Sequence, residues 1–145
     1  MQKQQAIASS NNLLEIEMEK KIVTSKRILV IDDEVDILRL IQTCLEVMGG
    51  WQVLTAGSGS EGLHLAETLR PDAILLDVMM PDMDGVTTFQ NLQANPVTEC
   101  IPVIFLTAKG RYTERNTFAE LGIKGVLNKP FNPLKIADQI AATLS

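Results

Sequence analysis

After Lys26 the chain alternates between short apolar runs and longer stretches of helical spacing. Arg27-Ile28-Leu29-Val30-Ile31 is apolar and β-branched, and it ends on Asp32-Asp33-Glu34. Ile37, Ile41, Cys44, Leu45 and Met48 then recur three and four residues apart, which predicts a helix, with Gly49-Gly50 as its left-handed stop. Residues 51–55 predict a second strand, and residues 60–69 a second helix that stops ahead of Pro71. Ala73-Ile74-Leu75-Leu76 runs straight into Asp77, with Pro81 soon after. A continuous apolar run between turn signals reads as a strand buried on both faces, as in a parallel sheet. A helix over about residues 85–93 follows. Ile101 to Leu106 is the fourth run and ends at Thr107, with Pro102 near a strand start, where a ladder donor is dispensable. Residues 111–121 predict a helix closed by Gly122, residues 124–128 a fifth strand, and residues 133–144 a last helix. Five such alternations predict a doubly wound α/β fold, a five-stranded parallel sheet with five helices on its two faces.

Residues 1–25 break this pattern. Gln, Ser and Asn dominate up to Asn12, and Leu13, Leu14 and Ile16 follow. This predicts a polar N-terminal extension, with a short helical turn to about residue 21 capped by Asn12, outside a domain spanning residues 26–145.

Composition narrows the function classes. The 145 residues are 46% apolar and 21% charged, enough for one domain with a real core. The net charge of −5, with both signs interspersed, argues against a nucleic-acid grip, which needs a basic stripe. Cys44 and Cys100 match no metal-ligand spacing and read as reduced, small hydrophobes. No apolar run approaches the roughly 18 residues of a membrane span. The first ten residues lack the apolar core of a secretory signal, so a cytoplasmic location is expected.

The strand ends carry the chemistry. Asp32-Asp33 follow the first strand, Asp77 the third, Thr107 the fourth, and Asn128-Lys129-Pro130 the fifth. Parallel strands present their carboxyl ends on one rim, where ligands bind in open α/β sheets. Carboxylates crowded there repel one another and raise each other's pKa unless a cation is present. Mg²⁺ suits such a site, since it takes oxygen ligands, typically one or two carboxylates plus a phosphate. Asp77 can then act as a carboxylate nucleophile toward a phosphoryl group. Lys129 and the metal neutralise the phosphoryl oxygens, and the Thr107 hydroxyl donates to one of them. Pro130 fixes the direction of Lys129, through a peptide bond that can be cis.

Two look-alike motifs compete. Gly57-Ser58-Gly59-Ser60-Glu61-Gly62 matches the G-x-G-x-x-G dinucleotide fingerprint, with Asp77 about twenty residues on, as in an NAD-binding half-domain. That site needs its acid free for a ribose, whereas Asp77 is packed with Asp32 and Asp33; a turn that caps the second helix is the plainer reading. Asp82-Met83-Asp84-Gly85 resembles the D-x-D-G motif of haloacid-dehalogenase-type phosphatases, but there the first Asp directly ends the strand, a place held here by Asp77. His64, the only histidine, lies between Leu63 and Leu65 in the second helix and is expected at the surface or its boundary.

Ile28-Leu29-Val30-Ile31-Asp32-Asp33-Glu34, Leu75-Leu76-Asp77-Val78-Met79-Met80-Pro81, Leu106-Thr107-Ala108 and Lys129-Pro130-Phe131, with Asp84-Gly85, resemble the receiver domain of two-component response regulators in its single-domain, chemotaxis-regulator-like form. The resemblance covers about 120 residues in the family's order. It implies a flavodoxin-like strand order 2-1-3-4-5. It implies phosphorylation of Asp77 by a histidine kinase or histidine phosphotransfer protein, with Mg²⁺ held by Asp33, Asp77 and the Met79 backbone carbonyl, and by Asp32 through a water. It also implies that Thr107 moves toward the phosphate and carries residues 111–121 with it. Small Ala108 leaves the phosphoryl pocket open, and Met79 and Lys109 flank it. The family often has an aromatic residue three positions before the lysine; here it is Val126, so an aromatic readout is missing. The expectation is a stand-alone switch, monomeric or dimerising on phosphorylation. It has no separate substrate and binds neither nucleic acid nor membrane. Its output is binding to a protein target through the last two helices and the fifth strand, near Lys109, Arg111, Arg115, Lys124 and Lys135.

Overall fold

Every residue of Ala73–Asp77 is buried, and the rest of the molecule is layered around this strand. The computed structural model describes residues 26–108, 118 and 120–145. Its strands are β1 (Arg27–Ile31), β2 (Gln52–Ala56), β3 (Ala73–Asp77), β4 (Val103–Ala108) and β5 (Gly125–Lys129). Its helices among the described residues are α1 (Val35–Gly49), α2 (Gly59–Leu69), α3 (Gly85–Ala94) and α4 (Ile136–Leu144). The strands form one parallel sheet in the order β2-β1-β3-β4-β5, as expected.

Side chains alternate across each strand, so one apolar run feeds two cores. Ile28, Val30, Leu75, Ile104 and Leu106 face α1 and α4 through Leu38, Ile41, Leu45, Ile136 and Ile140. Leu29, Ile31, Ile74, Leu76 and Phe105 face the other side, against Ala66, Phe89 and Leu92. Phe105 makes edge-on ring contacts with Phe89 and Phe118, at 5.8 and 4.9 Å between centroids. Each fully buried Leu or Ile contributes about 1.5–3 kcal/mol, so β1 and β3 are anchored on both faces. That anchoring holds the carboxyl ends of the strands in fixed positions.

The boundaries differ from expectation where local polar groups intervene. The last helix begins at Ile136 rather than residue 133, because Asn132 Oδ1 accepts from the Leu134 amide at 2.9 Å and holds the chain in a turn. The fourth strand starts at Val103, and Pro102 joins the ladder only through its carbonyl, which accepts from the Ile74 amide at 3.0 Å. Four helices are described where five were expected. Most of the missing one, residues 111–117 and 119, lies outside the described residues, as do the N-terminal extension and Lys109. Cys44 is buried as a small hydrophobe; Cys100 is exposed in a turn, and both are free thiols. Among the described residues, no helix is long and apolar enough to cross a membrane.

Glycine permits one close approach that shapes the site. A Cβ on Gly85, in the first turn of α3, lies 2.4 Å from the Asp77 carbonyl oxygen and 2.7 Å from Val78 Cα, and both of these are backbone. Helix propensity alone favours Ala over Gly by about 1 kcal/mol, but here the clash outweighs it. Gly85→Ala is expected to destabilise the fold by about 1–3 kcal/mol, read as a lower melting temperature. An unchanged or raised melting temperature contradicts this packing.

Candidate functional site

The acidic cluster follows from where the strands stop. Beyond β1 the Asp32 amide still donates to the Ala56 carbonyl at 3.1 Å, so Asp32 continues the strand and is fully buried. Its Oδ1 accepts from the Glu34 amide at 2.9 Å, which turns the chain toward α1. Asp33, one residue on, is exposed. Asp77 ends β3 with 2% exposure, and its Oδ1 accepts from the Met79 amide at 3.3 Å. Carboxylate oxygens of Asp32, Asp33 and Asp77 lie within 4.8 Å of one another.

Lys129 enters from the end of β5. Its Nζ is 2.7 Å from Asp32 Oδ2 and 3.5 Å from Asp77 Oδ2. The Lys129–Pro130 peptide is cis. The register pairs Thr107 with Asn128 and Ala108 with Lys129, which brings β4 and β5 to the same rim. Thr107 is fully buried, and its Oγ1 has no hydrogen-bond partner among the described residues. Ala108 is exposed beside it, Met79 is half-exposed, and Val126 is half-buried opposite Phe105.

These positions are electrostatically strained. Three carboxylates against one ammonium leave a formal excess of two negative charges. Burial, and then the charge of Asp32, push the Asp77 carboxyl up to about 7, although Lys129 and the Met79 amide pull the other way. Burial alone depresses the Lys129 ammonium. Hydrogen bonding and charge from Asp32, with Asp77 and Glu34, outweigh it and hold the ammonium above the ordinary lysine range. Buried Asp77 Oδ2 has only the 3.5 Å approach of Lys129 Nζ, at the limit of a hydrogen bond. An all-oxygen donor set that one ammonium only partly compensates fits a hard divalent cation.

The competing motifs resolve into scaffold. Ser58 caps α2 by accepting from the Glu61 amide, while the Gly57 amide donates back to Glu61 Oε2 at 3.0 Å. A Cβ on Gly59 lies 2.4 Å from Thr88 Oγ1, and one on Gly62 lies 2.4 Å from Ile31 Cδ1. These glycines seat α2 against its neighbours rather than cradle a pyrophosphate. Asp84 caps α3 by accepting from the Thr87 amide at 2.8 Å. Asp82 sits at φ 64° in the preceding turn, and both carboxylates are exposed and outside the cluster. His64 is exposed on α2. One participant was not anticipated: Glu34 Oε1 lies 3.3 Å from Lys129 Nζ. Its place directly after the acid pair was the available signal.

Asp77 also makes stability depend on pH. Its folded-state pKa lies above the unfolded value, so its contribution is full below about pH 4 and is lost as pH rises through about 7. In metal-free protein, Asp77→Asn is expected to change stability little at pH 4 and to add about 2–4 kcal/mol at pH 8. Thermal melts of both chains across that range, with a chelator present, check it; a pH-independent difference contradicts it.

Comparison with known proteins identifies the family. The family model of the response regulator receiver domain matches residues 28–141. The probable transcriptional regulator ycf27 of Guillardia theta is 36% identical over 134 residues, 92% of this chain and 50% of that protein. The alkaline phosphatase synthesis transcriptional regulatory protein PhoP of Bacillus subtilis is 39% identical over 120 residues, 83% of this chain and 49% of that protein. The chain thus spans about half the length of these curated relatives. Among solved structures, the chemotaxis protein CheY4 of Vibrio cholerae superposes with a TM-score of 0.76 at 28% identity, covering 83% of this chain and 99% of that one. The N-terminal domain of a response regulator receiver protein from Methanoculleus marisnigri gives 0.68 at 36% identity, covering 83% and 97%. The family model spans most of the five-stranded domain, and the chain belongs to the family of response regulator receiver domains.

Proposed function

We propose that Asp77 accepts a phosphoryl group from a phosphohistidine on a kinase or phosphotransfer protein, and that the modified domain changes what it binds. The observation that carries this reading is the pairing of buried Asp77 with Lys129 at 3.5 Å, beside a buried Thr107 hydroxyl without a described partner. An Asp77 oxygen attacks phosphorus, and the bond from phosphorus to the donor's imidazole nitrogen breaks. The imidazole leaves with the electron pair, and an acyl phosphate remains. Lys129 offsets charge on the phosphoryl oxygens, and the Thr107 hydroxyl donates to one of them. Water attack on phosphorus later releases phosphate and restores the carboxylate. The chain thereby turns over only its own modification.

Asp33, Asp77 and the Met79 carbonyl hold Mg²⁺ in this reading, with Asp32 acting through a water. When bound, the cation offsets the excess negative charge and orients the phosphoryl oxygens. Exposed Ala108 leaves the approach to Thr107 open. Val126 offers no ring to turn inward, so the conformational readout runs through Thr107; residues 111–117 and 119 of the segment expected to follow it lie outside the described residues. The new charge and hydrogen bonds bias two pre-existing conformers.

The output is a protein contact near β5 and α4, where Lys124 and Lys135 lie; Lys109, Arg111 and Arg115 fall outside the described residues. A second reading, output through transcription, is favoured by the names of the curated relatives, which are about twice as long as the matched region. The domain's own net charge of −5 disfavours a direct role in holding nucleic acid.

Incubation with acetyl phosphate and Mg²⁺ tests the reading by intact mass. Wild type is expected to gain one phosphoryl group, Asp77→Asn none, and Lys129→Ala to react about 10²-fold more slowly. Uptake by Asp77→Asn at the wild-type rate, or loss of uptake in Asp82→Asn alone, overturns it.

A further inference from the structure

The Lys129 ammonium is shared, and one of its three carboxylate partners lies outside the acidic cluster. Glu34 Oε1 is 3.3 Å from Lys129 Nζ, against 2.7 Å for Asp32 and 3.5 Å for Asp77. The lysine's longest contact is therefore with the residue it serves. Glu34 also occupies the N-cap of α1, where a short side chain ordinarily accepts from a first-turn amide. It makes no such cap. Its longer side chain reaches across to the end of β5 instead, while its amide binds Asp32 Oδ1 at 2.9 Å. One residue touches both the acid pair and the lysine, at the cost of an uncapped helix.

We propose that Glu34 is a positioning residue, a tether that draws Lys129 outward and restrains its move to the phosphoryl group on Asp77. The proposal rests on the reading of Asp77 as phosphoacceptor. A cation at the cluster competes with Lys129 for Asp32 and so weakens the lysine's shortest contact. It leaves the Glu34 contact in place, since Glu34 is not among the three clustered carboxylates. The last restraint on the lysine is then Glu34. The flexible four-carbon stem of Lys129 permits the swing between Glu34 and the phosphoryl oxygens. Glu34 is largely exposed, and an exposed ion pair shifts an equilibrium by a factor of about two to five. The tether therefore tunes the rate rather than deciding whether the reaction occurs.

Rates of Asp77 modification by acetyl phosphate and Mg²⁺ in wild type, Glu34→Gln and Glu34→Asp test this. Both variants are expected to react about two- to fivefold faster. Glu34→Asp keeps the charge at the mouth of the site but is one methylene too short to hold Lys129, and it can cap α1. If Glu34 acted only by repelling the anionic donor, Glu34→Asp would match wild type, and that result overturns the tether, as do equal or slower rates in both variants. A double-mutant cycle of Glu34→Gln with Lys129→Met, read by melting temperature, needs no phosphorylation. Non-additive shifts are expected, and additive ones overturn the contact. A wild-type chain that takes up no phosphoryl group overturns the reading of Asp77 and the restraint with it, while the cycle still decides separately whether the contact exists.

Discussion

Lys129 is the ammonium that offsets the cluster of Asp32, Asp33 and Asp77, and the chemistry of the rim depends on that imbalance. A fully compensated site would be inert: each carboxylate would sit at its ordinary pKa with its oxygens satisfied. Here burial and like charge raise the Asp77 carboxyl to about 7, with only a long 3.5 Å contact from Lys129 to one of its oxygens. Such a group is costly to keep, because a weakly paired buried carboxylate forfeits its hydration. A divalent cation is the kind of species that relieves it.

The fold tolerates this cost because the strands that bear it cannot give way. β1 and β3 are buried on both faces, and their register places Ile31 beside Leu76, one step before the two buried acids. Gly85 lets α3 start directly against the backbone of Asp77 and Val78, which closes the floor of the site. The apolar core thus does two tasks. It stabilises the domain, and it prevents three like charges from relaxing apart.

Much of this was legible in the chain. The run from Ala73 to Leu76 into Asp77 identifies a buried strand and its functional end together, because a lone carboxylate after four apolar residues has few other places to go. The convergence of Asp32, Asp33, Thr107 and Lys129 follows from parallel topology alone. What was not legible depends on distances between elements. Gly59 and Gly62 match a phosphate-binding fingerprint letter for letter; the sequence favoured a helix-capping turn, but their packing against Thr88 and Ile31 shows only in the fold. The start of α4 depends on whether Asn132 bonds the Leu134 amide, a choice that residue type only biases. Glu34 looked like one more acid beside a pair, and only its approach to Lys129 from another element separates it from them.

If the charge imbalance organises the site, then Lys129 and a divalent cation compete for the same carboxylates. Calorimetric titration of Mg²⁺ at pH 8 into wild type, Asp33→Asn and Lys129→Ala tests this most directly. The account predicts one site in wild type, weaker binding in Asp33→Asn, and severalfold tighter binding in Lys129→Ala. No binding by wild type, or weaker binding once the ammonium is removed, would contradict it.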